Sequence, residues 1–497
     1  MNSVVLVQIV QTWISLAIGY CVVPRCRFGA VGFAAASYLV GTAVVVISAG
    51  VYFAVTGRSS FTVILGFAVG IGVLSWRDQA KSFPDCMLSR SDVSAVTATL
   101  LGSASLVAWA TSAGVGILSP DSIDYLAGAD VFGQGLFSVV PADTLQTRMI
   151  AMQVLHAPVR MVGGVAATSV SPLAGLAVLA LLASLVHRLS VDAVGVPRAR
   201  ILAVLGATVL VSIPWFVDVA FYINAHILVA GLLLFLVGAI AQDSDRSQTS
   251  GHFGLALAVS ALAIALSRPE GLIVASIALI PLLLTGSSQG RRGAAPFWVL
   301  GIGGFLWHSR LWFTQYSEPF DATPFALLGI VLSLGIALLP SVSNWLYRSG
   351  VRHARAVIMT LVAAGIVSCL VLYAMSDWED FAATLDSVWT NLAGAGRWGY
   401  GGVGLAMLLV YGLAGKTNRW NGQVKWTIVC LLGFSLCSAF LRGGAFRVGP
   451  GDSMNRMFIH FAPLVLLLAL TTYGPRRVAG EPSQKGSGAE SSYLDRG

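Results

Sequence analysis

Apolar residues run in long unbroken blocks with short polar breaks between them, without the alternation of a half-buried strand. Blocks such as 201–216, 225–240, 272–284, 354–374 and 459–472 recur along nearly the whole chain. A helix needs about 20 mostly apolar residues to cross the hydrocarbon core of a bilayer, and by that length the pattern predicts about 15 spans. They fall roughly at 4–24, 28–55, 60–76, 93–118, 171–187, 201–216, 224–241, 253–267, 271–286, 297–313, 324–345, 356–375, 398–415, 426–441 and 457–473. The predicted fold class is all-α, a polytopic transmembrane helical bundle. Three stretches are too polar to span, about 119–170, 376–397 and 442–456, and these are the long loops. After Gly474 the chain turns polar and rich in Gly, Ser and Glu, which predicts a disordered tail.

Composition agrees with this pattern. Of 497 residues, 56% are hydrophobic and 10% are charged, against about a quarter charged in soluble domains. The 54 glycines suit close helix packing in lipid. The six cysteines form no metal-like CxxC pair, and no disulfide is predicted. The first block has no basic leader or small-residue cleavage site before it, so it reads as a first span.

Charge sets the orientation. The net charge is +8, but most of the 30 Lys and Arg fall in alternate loops, among them Arg25, Arg77, Arg188, Arg291, Arg348, Lys416 and Arg476. Basic loops stay in the cytoplasm, so the excess describes topology and not nucleic-acid binding. The N-terminus is then expected outside, the C-terminus in the cytoplasm, and the membrane is the plasma (inner) membrane. Arg58, Arg148, Arg160, Arg268, Arg310, Arg397, Arg442, Arg447 and Arg456 face outward against this bias. Asp121, Asp124, Asp130, Asp143, Asp377, Glu379, Asp380, Asp386 and Asp452 lie on the same side. Any chemistry is expected at the outer face.

Several segments there invite a closer reading. In Ser119–Gly135, Pro120 sets a turn and Tyr125, Ala129 and Phe132 fall at near-helical spacing. This predicts a short helix from about Ser122 with Asp121 as its N-cap, a role Asp fills well. Ser267-Arg268-Pro269-Glu270-Gly271 is a polar turn between two apolar blocks, with the Pro and Glu suited to a helix start. Glu318 and Asp321 sit in a Pro-rich loop after a block holding Trp307, His308 and Arg310. Arg442, Arg447 and Arg456 lead into the last block; Arg forks suit phosphate, and snorkelling at a helix end is the plainer alternative. Asp377 to Tyr400 reads as an outer amphipathic helix whose Trp378 serves an interfacial belt or stacks on a sugar. His226 stands at an outer helix start.

The order of these segments resembles the GT-C class of integral-membrane glycosyltransferases, which use polyprenyl-phosphate sugars. Asp121-x-x-x-Tyr125-Leu-Ala-Gly-Ala resembles that class's first outer loop, Arg268-Pro-Glu-Gly its polar turn, and Arg456 before an apolar run with Pro463 its closing segment. The resemblance covers about 93–475, with residues 1–92 as additional spans and 476–497 as the tail. It implies a sugar moved from a polyprenyl-phosphate donor to a glycan, lipid or protein acceptor outside the cell. Asp121, with Asp124 nearby, would be catalytic. Arg268, Arg442, Arg447 and Arg456 would bind the donor phosphate. Tyr125, His226, Glu270, Glu318, Asp321 and Trp378 would contact substrate. The resemblance fixes no cofactor; a divalent metal at the acidic loop is an option, although Ser122 stands where many members have a second acid. The chain has no G-x-G-x-x-G after a strand and no Walker motif for a nucleotide sugar. A transporter or flippase of lipid-linked sugars is the rival expectation, with an outer-face polymerase or ligase as a third.

Overall fold

A computed structural model of the chain describes residues 2–24, 28–82, 90–114, 116, 120–243, 251–284, 291–314, 323–348, 354–416, 419–441, 446–449 and 453–472. Its regular elements are helices. The chain opens with α1 (Ser3–Val22), α2 (Ala30–Thr56), α3 (Phe61–Ser82) and α4 (Arg90–Ala113). In the first polar stretch lie three short helices, α5 (Pro120–Gly133), α6 (Ala142–Arg148) and α7 (Ala151–Met161). Apolar helices resume with α8 (Val170–Val194), α9 (Val196–Val211), α10 (Pro214–Phe221), α11 (His226–Asp243), α12 (Gly251–Ala265) and α13 (Gly271–Leu279). Next come α14 (Arg291–Thr314), α15 (Thr323–Arg348), α16 (Ala354–Ser376) and the amphipathic α17 (Trp378–Thr390). A π-turn at Asn391–Ala395 leads to α18 (Tyr400–Ala414), α19 (Arg419–Leu441) and α20 (Ser453–Thr471).

The chain is a helical membrane protein, and every predicted span falls on one or more of these helices. The predicted count of about 15 spans is not confirmed, because length and apolarity together are met by fewer helices among the described residues. Among the described residues seven helices are long and apolar enough to cross a bilayer, those of α1, α2, α8, α15, α16, α19 and α20. The pair α9 and α10 would make an eighth, bent by 73°, where Pro214 opens α10 and cannot continue the helix before it. Others, such as α11 and α18, are shorter apolar helices. Hydropathy counts apolar residues and cannot see where a helix breaks or tilts.

Of the spans predicted as an N-terminal addition, α2 is packed within the bundle. α2 is 83% buried along its span and rests on α1, α8, α12 and α14. Its backbone touches that of α1 at Gly19 and Gly41. A Cβ on Gly19 would stand 1.7 Å from the Ser37 carbonyl oxygen, so only glycine permits this approach. α16, by contrast, is 11% buried and lies at the lipid-facing edge. The buried apolar side chains form one continuous core from Val5 to Leu468.

Candidate functional site

The short helices α5 to α7 place the acids. α5 begins at Pro120, two residues earlier than predicted, because Pro fits the first helical position where no N–H is needed. Asp121 is therefore inside the first turn and not at the cap. The Ser122 hydroxyl donates to the Ile223 carbonyl at 3.1 Å. This docks the start of α5 on the turn before α11.

α6 ends at Arg148, and Met149 turns the chain with a positive φ of 53°. The next two amides, Ile150 and Ala151, both donate to the Leu266 carbonyl at 3.2 Å. The end of α6 is thereby fastened two residues before Arg268. Arg148 reaches both acids of α5, with Nη2 2.9 Å from Asp121 Oδ1 and Nε 2.9 Å from Asp124 Oδ2. Arg456, in the first turn of α20, donates through Nη1 to the other oxygen of Asp121. Each oxygen of the Asp121 carboxylate thus faces a different guanidinium.

Burial would push the Asp121 carboxyl up, but the Arg456 bond and charge, with Arg148 and Arg268 behind them, outweigh it and hold Asp121 below the usual carboxylate range. Deeper in, Arg268 is 8% exposed, and its Nε donates to Glu270 Oε1 at 2.9 Å. The Tyr125 hydroxyl of α5 steadies the same guanidinium. Burial acts to raise Glu270 too; Arg268 and then His460 reverse this and keep it ionised. Two histidines close the cluster. His226 Nδ1 is 3.0 Å from His460 Nε2, and their rings stack with centroids 5.1 Å apart. The His226 amide donates to Asn224 Oδ1 at 2.9 Å, which fixes the start of α11.

A second set of bonds holds α20. The Asn455 side chain donates to the Gly396 carbonyl at 2.9 Å and accepts from Trp398 Nε1 at 2.5 Å. Its own carbonyl accepts from Trp215 Nε1 at 3.1 Å. The residue beside Arg456 is therefore anchored to both α10 and the α17–α18 joint.

The structure brings together Asp121, Asp124, Tyr125, His226, Arg268, Glu270 and Arg456 from the sequence reading. It adds Arg148 and His460, to which that reading gave no role. Arg148 was visible as an arginine expected to face outward against the charge bias, and His460 as an ionisable residue within a predicted span. Trp378 is 65% exposed and contacts Phe381; no described contact joins it to the cluster. Arg447 is exposed, and its carbonyl accepts from Asn391 at 3.0 Å. Arg442, Glu318 and Asp321 lie outside the described residues. Among the described residues no group of three His, Cys, Asp or Glu side chains could hold a metal ion. The carboxylates of Asp121 and Asp124 are turned to Arg148, so the residues do not fit the optional metal.

Comparison with family profiles, with curated proteins and with solved structures finds no match.

Proposed function

We propose that the chain is a membrane glycosyltransferase. It moves a sugar from a polyprenyl-phosphate donor to a glycan, lipid or protein acceptor on the outer face of the plasma (inner) membrane, with the N-terminus outside and the C-terminus in the cytoplasm. One observation carries this reading: a carboxylate held between the two guanidiniums of Arg148 and Arg456 at the polar end of an apolar bundle. A phosphodiester offers the same pair of oxygens on one centre, and the arginine fork suits it. Once a phosphate occupies the two forks, Asp121 is left beside it with free lone pairs.

The chemistry follows from these parts. Asp121 takes the proton of the acceptor hydroxyl. That oxygen bonds to the anomeric carbon, the carbon–oxygen bond to phosphate breaks, and the electron pair leaves on polyprenyl phosphate. Arg148, Arg268 and Arg456 stabilise the charge that develops there. An apolar groove of about 190 Å³ gives an isoprenoid chain a place beside α20, lined by Val388, Trp398, Leu405, Phe458 and Phe461 among others.

The test is transfer by purified protein in liposomes, offered a panel of polyprenyl-phosphate sugars and simple glycan acceptors. Label should move to an acceptor with release of polyprenyl phosphate. Cysteines introduced at positions 143 and 487 should react from outside and inside respectively. Movement of intact lipid-linked sugar between leaflets with no transfer would overturn the enzyme in favour of a flippase.

A further inference from the structure

Among the described residues, two buried nitrogens of the cluster have no hydrogen-bond partner, Nε2 of His226 and Nε of Arg456. Both belong to side chains held firmly at another atom, His226 at Nδ1 by His460 and Arg456 at Nη1 by Asp121. Arg456 and His460 are four residues apart on α20 and so share one face of it. The His226 ring stacks on His460, close enough for the charges of Arg268 and Arg456 to act on it. His226 is fully buried. A buried polar atom without a partner destabilises a fold, and ionisable residues inside a membrane bundle mark function more often than packing. A mere tie between α11 and α20 would have been served by an apolar pair.

We propose that His226 Nε2 and Arg456 Nε form the donor pair that receives the phosphate oxygen released in the transfer step. This rests on the transfer reading above and assigns that reading a further residue. When the anomeric carbon–oxygen bond breaks, a phosphodiester with one negative charge becomes a monoester with two. The added charge sits on the freed oxygen, while the acceptor's proton goes to Asp121. A neutral imidazole supplies an N–H there without a further cation beside Arg268 and Arg456. The roles of the rings follow: His460 Nε2–H donates to His226 Nδ1, and His226 Nε2–H donates to the oxygen.

Two substitutions separate this role from a structural one. The side-chain amide of His226→Asn falls near Nδ1, so it keeps the bond to His460 and loses the donor. The amide of His226→Gln falls near Nε2, so it keeps the donor and loses the tie. In the liposome assay His226→Asn should lose about 10²–10³ in kcat, the usual loss for one such donor, and His226→Gln should stay within about tenfold. The reverse order would overturn the donor pair and leave the transfer reading standing. A second readout needs neither transfer nor a variant. In ring-¹⁵N spectra of the unmutated protein, His226 Nε2 should carry a proton and shift when a short isoprenyl monophosphate is added. Such a shift in a protein that transfers no sugar would sustain the phosphate site and sink the glycosyltransferase. An unprotonated Nε2, or one indifferent to the monophosphate, overturns the proposal.

Discussion

Asp121→Asn tests whether the carboxylate is the anionic centre of the cluster or only a favourable charge in the first turn of α5. The wild-type side chain faces Arg148 on one oxygen and Arg456 on the other, and all three side chains are about a fifth exposed. A hydrogen bond to a charged group contributes about 1.5–3 kcal/mol when buried, and partial exposure argues for the lower end. Asn keeps one acceptor oxygen, so one guanidinium retains a weaker neutral bond and the other loses its anion. The expected destabilisation is about 1–3 kcal/mol. Were Asp121 only a favourable first-turn charge, Asn would cost about 0.3–1 kcal/mol and its effect would simply add to that of Arg456→Gln. Thermal unfolding in detergent, followed by tryptophan fluorescence, would rank wild type, Asp121→Asn, Arg456→Gln and the double variant. The double variant should be better than the sum of the singles by about 1–2 kcal/mol, because removing both partners leaves no unpaired charge. In the transfer assay Asp121→Asn should fall by about 10²–10⁴, the usual worth of a general base. A variant as stable as wild type, with single effects that simply add, would refute the ion-paired centre whatever the activity shows.

Two further outcomes follow from the same geometry. Arg148→Lys cannot reach Asp121 and Asp124 with two separate nitrogens, so the Michaelis constant for the lipid donor should rise about tenfold with a smaller change in kcat; an unchanged constant removes Arg148 from the clamp. The folded-state pKa of Asp121 lies below its ordinary value of 3.8, so its contribution to stability is complete above about pH 4 and is lost as pH falls through the lowered value. Glu270 is shifted in the same direction from 4.5. Melting curves should therefore lose no stability to either group down to about pH 5 and fall only below pH 4, with a shallower fall in Asp121→Asn. A drop between pH 7 and 5 that vanishes in that variant would show Asp121 not to be depressed.

The apolar blocks determined that this chain is helical and lives in a membrane, because burying about 20 apolar residues in one helix leaves no other solvent for them. They also located the polar stretches between the apolar blocks, where the arginines and aspartates of the cluster lie. Block length did not determine how many helices reach spanning length, since that depends on breaks such as the 73° bend between α9 and α10. Nor did it show that α2, read as an appendage, runs through the shared core. The cluster itself was a matter of tertiary structure. Asp121 and Arg456 are 335 positions apart, and His226 and His460 are 234 apart. No local periodicity connects residues at such distances. What joins them is the docking of α5 on the turn before α11 by Ser122, the fastening of α6 to the end of α12 through Leu266, and the anchoring of α20 by Asn455. Each side chain's type was legible from the sequence; its partner was decided by packing, which alone can set Arg456 of α20 against Asp121 of α5.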